Sequence, residues 1–296
     1  MTTPWRNYSD YLSRIFPGIK VQKIAVNAGF SCPNRDGTKG RGGCTYCNNT
    51  TFNPAYCSPR LSVAQQMAKG RDFFARKYPE MKYLAYFQAY TNTHGPVDRV
   101  LGLYREALSQ PDVVGLIIGT RPDCMPDTLL EQLSHMRAEG VYIMIEYGAE
   151  SSHDETLRRV NRCHTWSDTA DAVRRTHSAG IDTGLHLIMG LPGETREMML
   201  STIDAVNTLP VDTVKIHQLQ LVRETRMAAD IEAGLYDIPR FTVEEYADLC
   251  RDIVRRLRSD IAIERFVSQS PADMLIYPRW GLKNYQFTNL LQQRLK

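Results

Sequence analysis

Cys32, Cys44 and Cys47 are spaced C-x11-C-x2-C in the loop Cys32-Pro33-Asn34-Arg35-Asp36-Gly37-Thr38-Lys39-Gly40-Arg41-Gly42-Gly43-Cys44-Thr45-Tyr46-Cys47. Four thiolates would close an iron-sulfur cluster or a zinc site. Three leave one metal position free for an exogenous ligand, as catalytic zinc sites do. An iron with a free position is a place for chemistry. Gly40, Gly42 and Gly43 are expected to adopt backbone angles that turn N–H groups toward the cluster sulfurs. Tyr46, between two of the thiols, is expected to shield the cluster and lower the local polarity. The alternatives are a zinc knuckle whose fourth ligand is Cys57 or a histidine, or three unrelated thiols in a reducing cytosol.

The elements around this loop repeat one pattern. A strand at Val21 to Val26 precedes the loop, and a helix from Ser62 to Tyr78 follows it, opened by a Ser62/Gln65 capping box. Strands at Tyr83 to Phe87, Val113 to Ile118, Tyr142 to Ile145, Thr183 to Met189 and Thr213 to Leu221 then alternate with segments of helical period. These lie at Val97 to Ser109, Asp127 to Arg137, from Asp154, Ser167 to Ser178, and Arg196 to Thr208. Alternation of this kind implies a parallel sheet, and six βα units predict an α/β fold: an open, partial (βα)6 TIM-like barrel. Residues 1–20 form an N-terminal segment, 21–225 the barrel, and 226–296 an α/β extension that covers one side. That extension holds a helix at the Thr242/Glu245 capping box, a strand near Ile261 to Phe266 and a tail from Trp280 to Lys296. In such barrels functional residues gather at the C-terminal ends of strands. The cysteine loop and the clusters starting at Gln88, Gly119 and Glu146 would therefore converge on one face.

With 296 residues, 43% of them hydrophobic, the chain can bury a barrel-sized core but not two full domains. A formal charge of +3 is compatible with an RNA partner without identifying one. The count of seven cysteines is odd, Met1 to Tyr11 does not read as an apolar signal, and no run would cross a bilayer, so a reduced, cytoplasmic protein with no membrane partner is expected. Cys250 shares an apolar helix face with Tyr246, Ile253 and Leu257 and reads as core.

The loop and the strings Cys-Pro-Asn-Arg-Asp-Gly, Gly-Gly-Cys, Gly-Thr-Arg-Pro-Asp and Gly-Leu-Pro-Gly-Glu resemble the radical S-adenosylmethionine (radical SAM) enzymes over roughly residues 20 to 225. The likeness is to the branch that holds the catalytic subunit of Elongator and the oxygen-independent coproporphyrinogen oxidase. The wider family spaces its first two cysteines by three residues, and the long spacer here is shared with the Elongator branch. The resemblance implies a [4Fe-4S] cluster on Cys32, Cys44 and Cys47, with the open iron chelated by S-adenosylmethionine. Reduction by a donor such as flavodoxin or ferredoxin then cleaves the sulfonium to a 5'-deoxyadenosyl radical, which abstracts a substrate hydrogen.

Local strings carry further roles over from the family. Arg162 matches the arginine that binds the methionine carboxylate, a task that suits a bidentate guanidinium; otherwise it is a solvated arginine on a helix face. The Tyr90-Thr91 turn takes the place of a glycine-rich segment whose backbone meets the methionine amino group. Glu150 stands where a glutamine meets the ribose, and His186 where the family has an aspartate. His186 is thus a ribose contact, a pocket residue or an ordinary buried histidine. His217 falls near the adenine edge, with Lys215 two residues before it. The chain ends soon after the barrel, so no counterpart of Elongator's acetyltransferase domain is expected. The Elongator likeness implies modification of a tRNA wobble uridine, and the coproporphyrinogen likeness a small metabolite. A non-catalytic zinc-binding module that contacts RNA is the competing class.

Overall fold

Seven parallel strands form one curled sheet in the order β1-β2-β3-β4-β5-β6-β8. The computed structural model describes residues 4–51, 53–75 and 80–295. Within them run α1 (Tyr8–Ile15), β1 (Val21–Val26), α2 (Val63–Ala75), β2 (Lys82–Phe87), α3 (Val97–Leu108), β3 (Val113–Thr120) and α4 (Asp127–Ala138). Then come β4 (Tyr142–Glu150), α5 (Asp154–Arg159), α6 (Trp166–Ser178), β5 (Asp182–Met189), α7 (Arg196–Asn207) and β6 (Thr213–Gln218). The remainder holds β7 (Leu221–Val222), α8 (Arg226–Glu232), α9 (Val243–Arg256), β8 (Ala262–Arg265), β9 (Leu275–Tyr277) and α10 (Asn284–Arg294). The expected first-helix end at Tyr78, the start of the N-terminal segment at Met1 and the tail's end at Lys296 lie outside the described residues.

The partial barrel forms as the alternating pattern implies, and it gains a strand. β8 pairs in parallel with β6, Thr213 opposite Ala262, so residues of the extension lengthen the sheet. Apolar residues on the outer strand faces, among them Ile24, Leu116, Ile143 and Leu185, pack against the helices in one large core. Both expected capping boxes form. Gln65 N–H donates to Ser62 Oγ at 3.1 Å and Glu245 N–H to Thr242 Oγ1 at 3.1 Å. Each satisfies an amide that the first helical turn leaves unpaired.

Two departures matter for the site. The N-terminal segment contains α1, whose N-cap Asn7 accepts from the Asp10 amide. Its Tyr11 enters an apolar layer inside the barrel with Leu84, Ile117, Tyr142 and Met144, closing that end. β4 continues to Glu150 rather than ending at Ile145, so Glu146 is a strand residue, 2% exposed, and not part of a loop.

Candidate active site

Beyond the ends of the strands lies one open cavity lined by Cys32, Cys44, Cys47 and Tyr46, by Tyr90 and Thr91, and by Glu150, Arg162, His186 and His217. Residues spread over most of the chain are thereby brought together. Gly42 and Gly43 carry φ of +81° and +76°, conformations that favour glycine. Gly40 has another reason for being glycine, since a Cβ there would stand 2.2 Å from Asn34 Oδ1. The expectation that these glycines aim their amides at sulfur is not met at Gly40 or Gly43. Their N–H groups donate to the Pro33 and Asn34 carbonyls at 3.1 and 2.8 Å, which folds the loop on itself. Side chains point at the sulfurs instead: Asn34 Nδ2 is 3.7 Å and Arg162 Nη1 3.5 Å from Cys44 Sγ, and Asn49 Nδ2 is 3.4 Å from Cys47 Sγ. Sequence reasoning passed over both asparagines. The only signal was their place within two residues of a cysteine.

Arg162 is not a solvated residue on a helix face. It follows α5 in a turn where Asn161 and Cys163 take positive φ, and it is 7% exposed. Its Nη2 donates to the Gly148 carbonyl at 2.6 Å and lies 3.3 Å from Glu150 Oε1. Arg121, buried and paired through both Nε and Nη2 with Asp123, donates to the Arg162 carbonyl at 2.8 Å and holds the turn from below. The sequence string that contains Arg121 thus has a structural use. Burial favours the neutral form of Asp123, but Arg121 and Lys39 overcome it and hold the carboxyl down at about 2. His164 is also buried here, and burial followed by the Arg162 charge lowers it to about 3.

The cavity floor is a charged layer drawn from four strands. Lys215 Nζ lies 2.5 Å from Glu146 Oε2 and 3.4 Å from Glu264 Oε1, while Lys23 Nζ lies 3.1 Å from Glu146 Oε1 and 2.5 Å from Glu264 Oε2. Two ammonium and two carboxylate groups balance. The Lys23–Glu264 pair also ties β1 to β8, the two edges of the sheet. Burial raises the Glu146 carboxyl, yet Lys215, Lys23 and His186 together hold it well below its usual value. Burial pushes Lys215 down to about 8 despite Glu146. Because Glu146 is an anion, the His186 Nε2 that lies 3.0 Å from it carries the proton, which leaves Nδ1 as an acceptor. The His186 and His217 rings stack with centroids 5.2 Å apart, and His217 Nδ1 bonds Ser268 Oγ. Neither histidine is an inert core residue, since both line the cavity. Lys215 lies beneath it and contacts the Tyr86 hydroxyl at 2.9 Å.

The side chains fit an iron-sulfur cluster with a chelating organic ligand. The three thiols line the same cavity, and burial, followed by Cys44, pushes the Cys47 thiol up to about 11. Among the described residues no three His, Cys, Asp or Glu converge closely enough to hold a single metal ion. Tyr46 packs against the apolar cluster that holds Val160, Leu191 and Leu219. Among the described residues, the Tyr46 hydroxyl, Arg162 Nε and His217 Nε2 are buried atoms without a hydrogen-bond partner, and all three residues line this one cavity. A polar ligand would satisfy them.

Comparison with known proteins gives the same direction. Residues 32–206 match the Radical SAM superfamily model and residues 211–296 the Radical_SAM C-terminal domain. The chain is 37% identical to protein YhcC of Escherichia coli K12 over 263 residues, 89% of this chain and 83% of that one. A tRNA uridine(34) acetyltransferase of Methanocaldococcus infernus is 30% identical over 117 residues, 38% of this chain and 21% of that protein. Among solved structures, Methanocaldococcus infernus Elp3 with an N-terminal deletion superposes with a TM-score of 0.70 at 18% identity, covering 94% of this chain and 63% of that chain. Its likeness is one of fold. The chain is therefore an enzyme of the radical SAM superfamily, whose cofactors are a [4Fe-4S] cluster and S-adenosylmethionine.

Proposed function

We propose that Cys32, Cys44 and Cys47 hold the four-iron cluster, that the cavity beside them takes S-adenosylmethionine, and that the substrate is a tRNA wobble uridine. The observation that carries the site is that the three thiols share one cavity with Tyr46, Arg162 and His217, each of which keeps a buried polar atom without a partner among the described residues. When bound, the two cofactors supply one-electron cleavage of the sulfonium and a carbon radical that removes a substrate hydrogen.

The chain's own residues bind, orient and exclude water. Arg162, preset by Glu150 and the Gly148 carbonyl, offers its guanidinium to the methionine carboxylate. Glu150 accepts from ribose hydroxyls, and the Tyr90–Thr91 turn presents backbone to the methionine amino group. His217 Nε2 meets the adenine edge. His186 keeps its proton on Nε2 and accepts at Nδ1 from a hydroxyl of the ribose or the substrate. Beneath them the paired lysines and glutamates and the α1 layer close the floor.

The substrate reading is supported by the partial likeness to tRNA uridine(34) acetyltransferases. A reducing donor such as flavodoxin or ferredoxin would supply the electron that starts the reaction. Two measurements test the reading. Anaerobic incubation with S-adenosylmethionine and a strong reductant should yield 5'-deoxyadenosine, and tRNA from cells lacking the protein should show an altered wobble nucleoside. Cofactor cleavage with an unchanged nucleoside profile would move the assignment to a small metabolite.

A further inference from the structure

Asn49 is buried at the start of the short helical turn Asn49–Thr51, just after the last cysteine of the loop. Its Nδ2 lies 3.4 Å from Cys47 Sγ, and its Oδ1 accepts the Tyr90 N–H at 3.4 Å. The second contact settles which way the amide faces. A backbone N–H needs an acceptor, so the carbonyl oxygen must face Tyr90 and the NH2 must face sulfur. A thiolate sulfur can only accept, so the two contacts agree.

We propose that Asn49 is a positioning residue that donates an amide N–H to the Cys47 thiolate and so raises the reduction potential of the cluster, while its oxygen ties that ligand to the Tyr90–Thr91 turn. The inference rests on the cluster reading above. In the step concerned, one electron passes from the reducing donor to the cluster and no bond is made or broken. Reduction adds negative charge that is shared by the sulfurs. A dipole aimed at sulfur therefore stabilises the reduced form more than the oxidised form, and burial strengthens the effect. Arg162 acts on Cys44 from 3.5 Å with a full charge that cofactor binding also claims. Asn49 acts on Cys47 as a neutral group already fixed by the protein backbone.

The test compares the parent with Asn49→Leu and Asn49→Asp, each reconstituted anaerobically without S-adenosylmethionine. Iron is counted, and the midpoint potential is read by titration followed by electron paramagnetic resonance. Asn49→Leu removes the donor at similar volume. Asn49→Asp keeps an acceptor for Tyr90 and sets a charged oxygen beside the sulfur. Both should retain cluster iron. The leucine variant should show an approximately tenfold lower ratio of reduced to oxidised cluster at fixed potential, a shift of about 59 mV to the negative. The aspartate variant should shift further the same way. Unchanged midpoints with full iron would overturn the proposal. Loss of iron from both variants would also overturn it, by making Asn49 a scaffold for the loop. A parent that takes up no cluster would instead remove the reading on which the proposal rests.

Discussion

Arg162 and Glu150 face each other at 3.3 Å on the wall of the cavity, both buried, with the guanidinium also 3.5 Å from Cys44 Sγ. The space between them exists because residue 148 is glycine. A Cβ there would stand 2.5 Å from Arg162 Nη2 and 2.8 Å from Glu150 Oε1. The strand pairing of β4 with β5 shifts register at this point, and Glu150 takes φ +66°, which turns its carboxylate toward the arginine. On the proposed reading of the site, a charged pair held this way would meet the cofactor already oriented.

Arg162→Ala should keep the cluster yet weaken S-adenosylmethionine binding by about 1.5–3 kcal/mol, the value of a hydrogen bond to a charged group. Calorimetry on reconstituted protein reads this as a rise of roughly tenfold to a hundredfold in Kd. Gly148→Ala should act in the same direction by displacing the guanidinium without removing it. An unchanged Kd in both variants would return Arg162 to a purely structural role.

Replacing Cys32, Cys44 or Cys47 singly with Ala should remove most cluster iron and all 5'-deoxyadenosine formation, because each thiolate anchors one iron. Cys250→Ala should leave iron unchanged, since Cys250 is fully buried in the α9 core. Iron analysis of the set decides it. Equal iron in Cys44→Ala and the parent would refute the ligand assignment.

What the sequence made legible follows from range. The cysteine loop is local, so its spacing and the unusual backbone angles of Gly42 and Gly43 could be read directly, though not where the glycine amides point, and Arg162 could be matched from a short string. The Glu146–Lys215–Lys23–Glu264 layer could not, because its members come from β4, β6, β1 and β8 and no spacing links them. Asn34 and Asn49 look like ordinary loop asparagines until folding sets them beside sulfur. The helix α1 did leave a signal, an Asn7 cap before Tyr8, Tyr11, Leu12 and Ile15 at helical spacing, which reading for a signal sequence overlooked.

Protein stability should fall in mild acid because of His164. Its folded pKa, about 3, lies below the unfolded value of about 6.5. The unfolded chain therefore binds a proton that the folded chain refuses between those limits. Stability from this residue is full above about pH 6.5 and is lost as pH falls toward 3, at up to about 1.4 kcal/mol per pH unit. Thermal melts of the metal-free protein from pH 8 to pH 5 should show the decline, and His164→Gln should make it shallower, the remainder coming from groups such as His186 and His217, which burial also lowers. Parallel curves for the two proteins would remove His164 as the cause.

If the substrate is tRNA, binding should weaken as salt rises, because neutralising phosphates with Lys and Arg releases counterions. Exposed arginines near the cavity mouth are the candidates for phosphate contacts, and they differ in what their charges already meet. Arg41, within the cysteine loop, and Arg158, near the end of α5, are exposed, their carbonyls accepting from Asn161 at 3.1 and 3.0 Å, and Arg174 is exposed on α6. Arg175 is already paired with Asp127 at 2.6 Å and Asp171 at 2.7 Å and lines a different cavity. The double variant Arg41→Glu, Arg158→Glu should therefore lower tRNA affinity and reduce the salt dependence, with a change in slope of roughly one for each phosphate that is no longer neutralised. Arg175→Ala should leave both unchanged. Filter binding at several salt concentrations supplies the slopes, and nucleoside profiles of tRNA from complemented cells supply the consequence. Should the double variant bind and modify tRNA like the parent, the barrel mouth would not be the tRNA-facing surface. Absence of tRNA binding by the parent at low salt would turn the enzyme toward a small substrate while leaving the cysteine, Arg162 and His164 predictions intact.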